Sequence, residues 1–131
     1  MALGKVLIVD DDVDIVEAMK VVLSSKGYQV SSAEDSDVAQ EILKTDVPDL
    51  IILDVMMRSP QEGFAFSRWL HQNDTFKHIP VLMLSGVKGE TGIDFKSEAG
   101  DDAWLPVSAF LDKPVKPDVL VEKVASLIKT S

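Results

Sequence analysis

The chain of 131 residues contains no cysteine. Disulfide bonds and thiolate metal sites are therefore excluded, and the composition fits a reducing cytosol. The first residues, MALGKVLIV, also lack the long apolar stretch and the cleavage site of a signal peptide. We therefore expect a cytoplasmic protein.

Positive charge and long apolar runs are also scarce. Lysine and arginine total 13 against 22 aspartate and glutamate residues, which gives a formal net charge of −9. Nucleic-acid binders carry basic patches that meet phosphates, and anionic lipid surfaces likewise attract basic segments. No apolar run approaches the roughly 20 residues of a membrane helix. We therefore expect neither nucleic acid nor membrane as a partner.

The length and composition are those of one globular domain. A chain of 131 residues, of which 46% are hydrophobic, can bury a sizeable core. We find no internal repeat, low-complexity tract or linker. The sequence therefore predicts a single domain over residues 1–131, with its core at about residues 4–129.

Short apolar runs alternate with segments of helical periodicity. Five runs are typical of buried strands: KVLIV (5–9), YQVSSA (28–33), LIIL (50–53), PVLML (80–84) and AFL (109–111). Helices are predicted after the first, second, third and fifth of these strands. The first helix ends at Gly27, the third follows Gly63, and the last begins at Pro117. The second helix is capped by Asp35 or Ser36, and its inner face is formed by Val38, Ala39, Ile42 and Leu43. This alternation predicts a parallel sheet covered by helices on both faces. The segment 86–108 interrupts the pattern, because GVKGETG is too rich in glycine to start a helix firmly.

Polar residues follow four of the predicted strands. They are Asp10 and Asp11, Asp54, Ser85, and Lys113. Because ligands of parallel sheets bind at the carboxyl ends of the strands, we expect these side chains to converge. Clustered carboxylates suit a hard cation such as Mg²⁺, an aspartate can act as a nucleophile, and lysine pairs with phosphate oxygens.

Two further acids follow the first strand, but they are assigned to a helix. Asp12 is suited to the N-cap of the first helix and Asp14 to its first turn, where the helix dipole favours negative charge.

Four ordered motifs, VLIVDDD, PDLIILDVMM, PVLMLSG and FLDKPV, cover nearly the whole chain. In this order they resemble the receiver domain of bacterial two-component response regulators. The resemblance implies a flavodoxin-like (βα)5 three-layer α/β sandwich, with a five-stranded parallel sheet in the order 2-1-3-4-5.

The same resemblance implies a role for each residue at the strand ends. Asp54 would be the phosphoacceptor, taking a phosphoryl group from a histidine kinase or a phosphotransfer protein. Asp11 would ligate Mg²⁺ directly, Asp10 mainly through water, and Asp54 and the backbone carbonyl of Met56 would complete the protein ligands. Lys113 and Ser85 would contact the phosphoryl group.

The resemblance also implies an output. Ser85 would move toward the phosphoryl oxygens, and Phe110 holds the position of an aromatic switch, although a phenylalanine there is equally suited to the core. The bond between Lys113 and Pro114 would be cis. Phosphorylation would then signal to a downstream protein partner by conformational change, and a homodimer that depends on phosphorylation stays open.

Two segments depart from the family pattern. Arg58 holds the position at which family members usually carry a proline, and Gly63 lies one residue later than usual. The stretch from Ser85 to Lys113 is several residues longer than usual. The second departure falls on the part of the family fold that reports phosphorylation.

Three alternatives remain beside a stand-alone receiver. The chain could be a receiver module from a larger regulator or hybrid kinase. An aspartate-nucleophile phosphatase would need a second aspartate two residues after Asp54, where this chain has Met56. A flavodoxin-like cofactor binder would need a phosphate-cradling loop after the first strand, where this chain has acids.

Overall fold

The structure is a computed structural model that describes residues 4–54, 60–85, 109–112 and 116–130. The strands are β1 (Lys5–Val9), β2 (Gln29–Ala33), β3 (Leu50–Asp54), β4 (Val81–Ser85) and β5 (Ala109–Asp112). The described helices are α1 (Val13–Ser25), α2 (Ser36–Thr45), α3 (Pro60–Gln72) and α4 (Pro117–Thr130). Among these helices, none combines the length and apolar character that a membrane span requires.

The five strands form one parallel sheet in the order β2-β1-β3-β4-β5. The predicted fold class and strand order are therefore confirmed. β3 lies at the centre, and all five of its residues are buried. This explains why its sequence, LIILD, is almost continuously apolar, since a central strand of a parallel sheet is covered on both faces.

Alternate residues of each strand enter two separate cores. Leu7 and Val9 of β1 face the core formed with α2 and α3, whereas Val6 and Ile8 face the core formed with α1 and α4. The side-chain period of two along a strand produces this division. The molecule consequently has three layers, with the sheet in the middle.

Two predicted helix boundaries are confirmed by cap geometry. The Asp35 side chain accepts a hydrogen bond from the N–H of Val38, so Asp35 rather than Ser36 is the N-cap of α2. After α1, Gly27 has a φ of 102° and donates its N–H to the carbonyl of Ser24. A left-handed glycine at this position is a common helix terminator.

Two details of the predicted helices are wrong. We expected α3 to begin after Gly63, but it begins at Pro60. Proline fits the first turn of a helix because its missing N–H has no partner there, and the helix then tolerates one interior glycine at a cost of about 1 kcal/mol. Val38 was expected on the inner face of α2, yet it is 37% exposed, and Ala39 and Leu43 are the buried residues of that helix.

Candidate metal centre

The register of the sheet brings two acidic residues side by side. Val9 of β1 pairs with Leu53 of β3, so Asp10, the residue after β1, lies at the same level as Asp54, the last residue of β3. Both strands run in the same direction and end at the same edge. The predicted convergence of Asp10 and Asp54 therefore follows directly from the pairing of β1 with β3.

Asp11 completes a cluster of three carboxylates. One carboxylate oxygen from each of Asp10, Asp11 and Asp54 lies within 4.8 Å of the others. Asp10 and Asp54 are 3% and 2% exposed, whereas Asp11 is exposed. The cluster is thus enclosed by protein on the side of the sheet and open to solvent on the side of Asp11.

Electrostatics makes this cluster costly without a cation. Two unit charges 4 Å apart repel by about 4 kcal/mol in the environment near a protein surface. Oxygen ligands without histidine or cysteine are the set that Mg²⁺ prefers, and Mg²⁺ usually binds one or two carboxylates and keeps several waters. The chemistry and the half-open geometry of the cluster therefore fit a hydrated Mg²⁺ ion.

Backbone hydrogen bonds fix the position of Asp10. Its N–H donates to the carbonyl of Ala33 in β2, at 3.0 Å. Its Oδ1 accepts a hydrogen bond from the backbone N–H of Asp12, at 2.9 Å, and its Oδ2 is also buried. Asp10 is consequently held both through its main chain and through its carboxylate.

Asp12 caps the first helix, as the sequence predicts. Its Oδ1 accepts hydrogen bonds from the N–H groups of Asp14, at 3.1 Å, and Ile15, at 3.2 Å. Asp14 lies in the first turn of α1, where negative charge is favourable. Sequence reasoning missed the second contact of Asp12, the bond from its N–H to Asp10. Aspartate side chains often accept a hydrogen bond from the backbone N–H two residues later in a turn. The aspartate at position 10 was therefore a sequence signal for this bond.

The remaining predicted site residues are described in part or not at all. Ser85 is the last residue of β4 and pairs with Asp112 of β5, so its backbone lies at the same edge of the sheet. Phe110 lies within β5 and pairs with Met83 of β4. Three predicted site positions lie outside the described residues: Met56, Lys113 and Pro114. The segment 86–108 and the Arg58 position also lie outside them.

A sequence model of one protein family matches residues 6–125 of the chain, and it describes the response regulator receiver domain. Among individual relatives, the chain is 34% identical over 126 residues to the response regulator PleD of Caulobacter vibrioides. It is 31% identical over 125 residues to the phosphate regulon transcriptional regulatory protein PhoB of Escherichia coli. These alignments cover 96% and 95% of this chain, but only 26% of PleD and 52% of PhoB.

Solved structures with the same fold include two receiver proteins. One is the chemotaxis response regulator CheY4 of Vibrio cholerae, with a TM-score of 0.79 and 29% identity over 97% of this chain and 98% of that chain. The other is the signal receiver domain of a signal transduction histidine kinase from Syntrophus aciditrophicus, with a TM-score of 0.81 and 31% identity over 97% and 91% of the two chains. The acid cluster, the strand order and these matches agree, and the chain belongs to the response regulator receiver domain family.

Proposed function

We propose that this chain accepts a phosphoryl group on Asp54 in two-component signalling, from a histidine kinase or a phosphotransfer protein. The observation that carries the proposal is the convergence of Asp10, Asp11 and Asp54 at the carboxyl edge of the sheet. Receiver domains serve this signalling role, and the four sequence motifs match the family in order. Asp54 is the buried carboxylate at the end of the central strand.

The cation of this site would be Mg²⁺, held by Asp11 directly and by Asp10 mainly through water. Asp54 and the backbone carbonyl of Met56 would supply the remaining protein oxygens. Bound Mg²⁺ neutralises charge on the carboxylates and on the incoming phosphoryl oxygens. The three carboxylates in turn position the acceptor and leave the exposed Asp11 side open to the donor.

In the proposed step, a carboxylate oxygen of Asp54 donates an electron pair to phosphorus and forms a new P–O bond. The P–N bond of the donor phosphohistidine breaks, and its electron pair returns to the imidazole, which takes up a proton. Lys113 would pair first with the Asp54 carboxylate and then with the phosphoryl group, and Ser85 would donate a hydrogen bond to it. Phosphoryl transfer depends mainly on such positioning and charge stabilisation.

The product is an acyl phosphate, which water later hydrolyses to regenerate Asp54. The chain would therefore catalyse only its own phosphorylation and dephosphorylation. Ser85 and Phe110 would couple the phosphoryl group to the surface that a downstream protein contacts, and the Lys113–Pro114 bond would be cis. Residues 1–131 would form one domain and act in the cytoplasm.

An aspartate-nucleophile phosphatase is the competing enzyme class. Such an enzyme uses a second acid two residues after its nucleophile to protonate the leaving group. Met56 occupies that position and carries no proton to donate. The family match and the composition of the site both favour the receiver over the phosphatase.

The test is phosphorylation by acetyl phosphate, followed by intact-mass spectrometry. In the presence of Mg²⁺ we expect wild-type protein to gain one phosphoryl group, and we expect no gain with a chelator or in Asp54→Asn. Asp37→Asn is a matched control, because Asp37 is an exposed acid in the first turn of α2. Equal labelling of Asp54→Asn and wild-type protein would show that another residue is the acceptor.

A further inference from the structure

We propose that Asp12 is a positioning residue for the metal centre, because its cap on α1 holds its own N–H against the carboxylate of Asp10. This inference rests on the proposed Mg²⁺ site. It assigns to Asp12 two functions at once. The side chain of Asp12 anchors the helix, and the main chain of Asp12 anchors a proposed metal ligand.

Four hydrogen bonds define the position of Asp12. The N–H groups of Asp14 and Ile15 donate to its Oδ1, at 3.1 and 3.2 Å, and the N–H of Val16 donates to its carbonyl, at 3.0 Å. The fourth bond runs in the other direction, from the N–H of Asp12 to Oδ1 of Asp10, at 2.9 Å. Three bonds thus tie Asp12 to the first turn of α1, and one ties Asp10 to Asp12.

The hydrogen bond from Asp12 fixes the orientation of the Asp10 carboxylate. A hydrogen bond to one carboxylate oxygen restricts rotation of the whole planar group, so both oxygens are held. The N–H of Asp10 is bound independently to Ala33, so the residue is fixed at two points. Partners of metal ligands that act in this way typically change metal affinity by 10- to 100-fold when they are mutated.

Asp11 also depends on this arrangement. Its exposed carboxylate belongs to the cluster, and its backbone lies between Asp10, which is tied to β2, and Asp12, which is tied to α1. Loss of the Asp12 side chain removes two of the three hydrogen bonds that tie one end of this three-residue segment to α1. We therefore expect both neighbouring ligands to lose their preorganisation when the cap is lost.

A purely electrostatic role for Asp12 predicts a different result. As a fourth negative charge near the cluster, Asp12 would attract Mg²⁺ whether or not it capped the helix. Asp12→Asn and Asp12→Ala remove the same charge, but only asparagine retains a side-chain oxygen that can cap. The ratio of the two affinities therefore isolates the contribution of the cap.

Asp35 offers a matched control within the same chain. It is the N-cap of α2 and accepts the N–H of Val38, at 2.9 Å. Asp35→Ala removes one negative charge and one helix cap, as Asp12→Ala does. The described hydrogen bonds of the Asp35 side chain include none to Asp10, Asp11 or Asp54.

The experiment is a Mg²⁺ titration of the full chain, followed by amide shifts in ¹H–¹⁵N spectra, for wild-type protein and four variants. We expect Asp12→Ala to bind Mg²⁺ about tenfold more weakly than Asp12→Asn. Asp35→Ala and Asp35→Asn should bind with equal affinity. If Asp12→Ala does not fold, Asp12→Gly replaces it, because glycine is tolerated at an N-cap at a cost of only a few tenths of a kcal/mol and also lacks the acceptor.

Two outcomes would overturn the inference. Equal affinities for Asp12→Asn and Asp12→Ala would show that position 12 does not act through the cap. Equal losses of Mg²⁺ affinity in Asp12→Ala and Asp35→Ala would show that losing any helix cap weakens Mg²⁺ binding through lower stability of the fold. If wild-type protein itself showed no Mg²⁺-dependent shifts near Asp11, the metal site of the proposed function would be the part that failed.

Discussion

Asp54 lies beside Asp10 because the residues that precede them, Val9 and Leu53, are register partners in adjacent parallel strands. With Asp11, the two form a cluster whose carboxylate oxygens lie within 4.8 Å of one another. Backbone pairing, rather than attraction between the side chains, therefore holds these like charges together. The energy that opposes their repulsion comes from burial of the strands that carry them.

The first prediction concerns the stability of the chain without metal. Replacing Asp54 by asparagine removes one charge from the cluster, so we expect Asp54→Asn to be more stable than wild-type protein in a chelator, by roughly 1–4 kcal/mol, the repulsion of two charges 4 Å apart between water and a protein surface. Wild-type protein should gain about 1.4 kcal/mol when Mg²⁺ is present at ten times its Kd, and the variant should gain much less. Urea unfolding in both conditions measures these differences.

A control for total charge is Glu122→Gln, because Glu122 is an exposed acid on α4. Its stability should respond to Mg²⁺ as that of wild-type protein does. A wild-type stability that did not change with Mg²⁺ would contradict the account of the cluster.

The second prediction concerns the strand that carries Asp54. Ile52 is fully buried in β3 and pairs with Ile8 of β1 and Leu82 of β4. We expect Ile52→Ala to lower the free energy of unfolding by about 2–5 kcal/mol, through lost burial and the resulting cavity. Val21 is 67% exposed on α1, and Val21→Ala should change stability by no more than about 0.5 kcal/mol. Similar losses in the two variants by urea unfolding would argue against β3 as the centre of the core.

The third prediction concerns alkaline pH at the opposite end of the sheet. The hydrogen bond from Lys5 to Asp46, and then the negative charge of Asp46, raise the pKa of Lys5 from its ordinary value of 10.5. A group whose pKa is raised by folding stabilises the protein below its unfolded pKa, and this contribution is lost as the pH rises through the folded pKa. We expect wild-type protein to be only slightly more stable than Lys5→Met, because the side chains of Lys5 and Asp46 are both about half exposed. This difference in stability should shrink as the pH rises above 10.5.

The matched control for Lys5 is the same comparison in an Asp46→Asn background. Without the Asp46 charge, the difference between lysine and methionine at position 5 should depend less on pH in this range, because only the charge of Asp49 still raises the pKa of Lys5. Urea unfolding at neutral and at alkaline pH measures both differences. A wild-type difference that stayed constant across this range would contradict the assignment.

The topology and the acid cluster were predictable from sequence because both depend on order and period. Continuous apolar runs such as LIIL marked strands buried on both faces, and their alternation with helices required parallel crossovers. Once the strand ends were located, Asp10, Asp11 and Asp54 had to meet at one edge. The structure confirms both the strand order and this convergence.

Other features depended on geometry that residue types do not encode. The start of α3 at Pro60 was missed because Gly63 was taken as a boundary, although proline is suited to the first turn of a helix. The bond from the N–H of Asp12 to Asp10 was missed because the turn pattern of aspartate only permits such a bond, and the local conformation decides whether it forms.

The most direct test of the central claim is to locate the phosphoryl group within the chain. Protein treated with acetyl phosphate and Mg²⁺ is reduced with borohydride, which converts an aspartyl phosphate to homoserine, and its peptides are mapped by mass spectrometry. The account predicts homoserine at position 54 and unmodified aspartate at positions 10 and 11. Homoserine at Asp10, Asp11 or any other aspartate, with Asp54 unmodified, would contradict it.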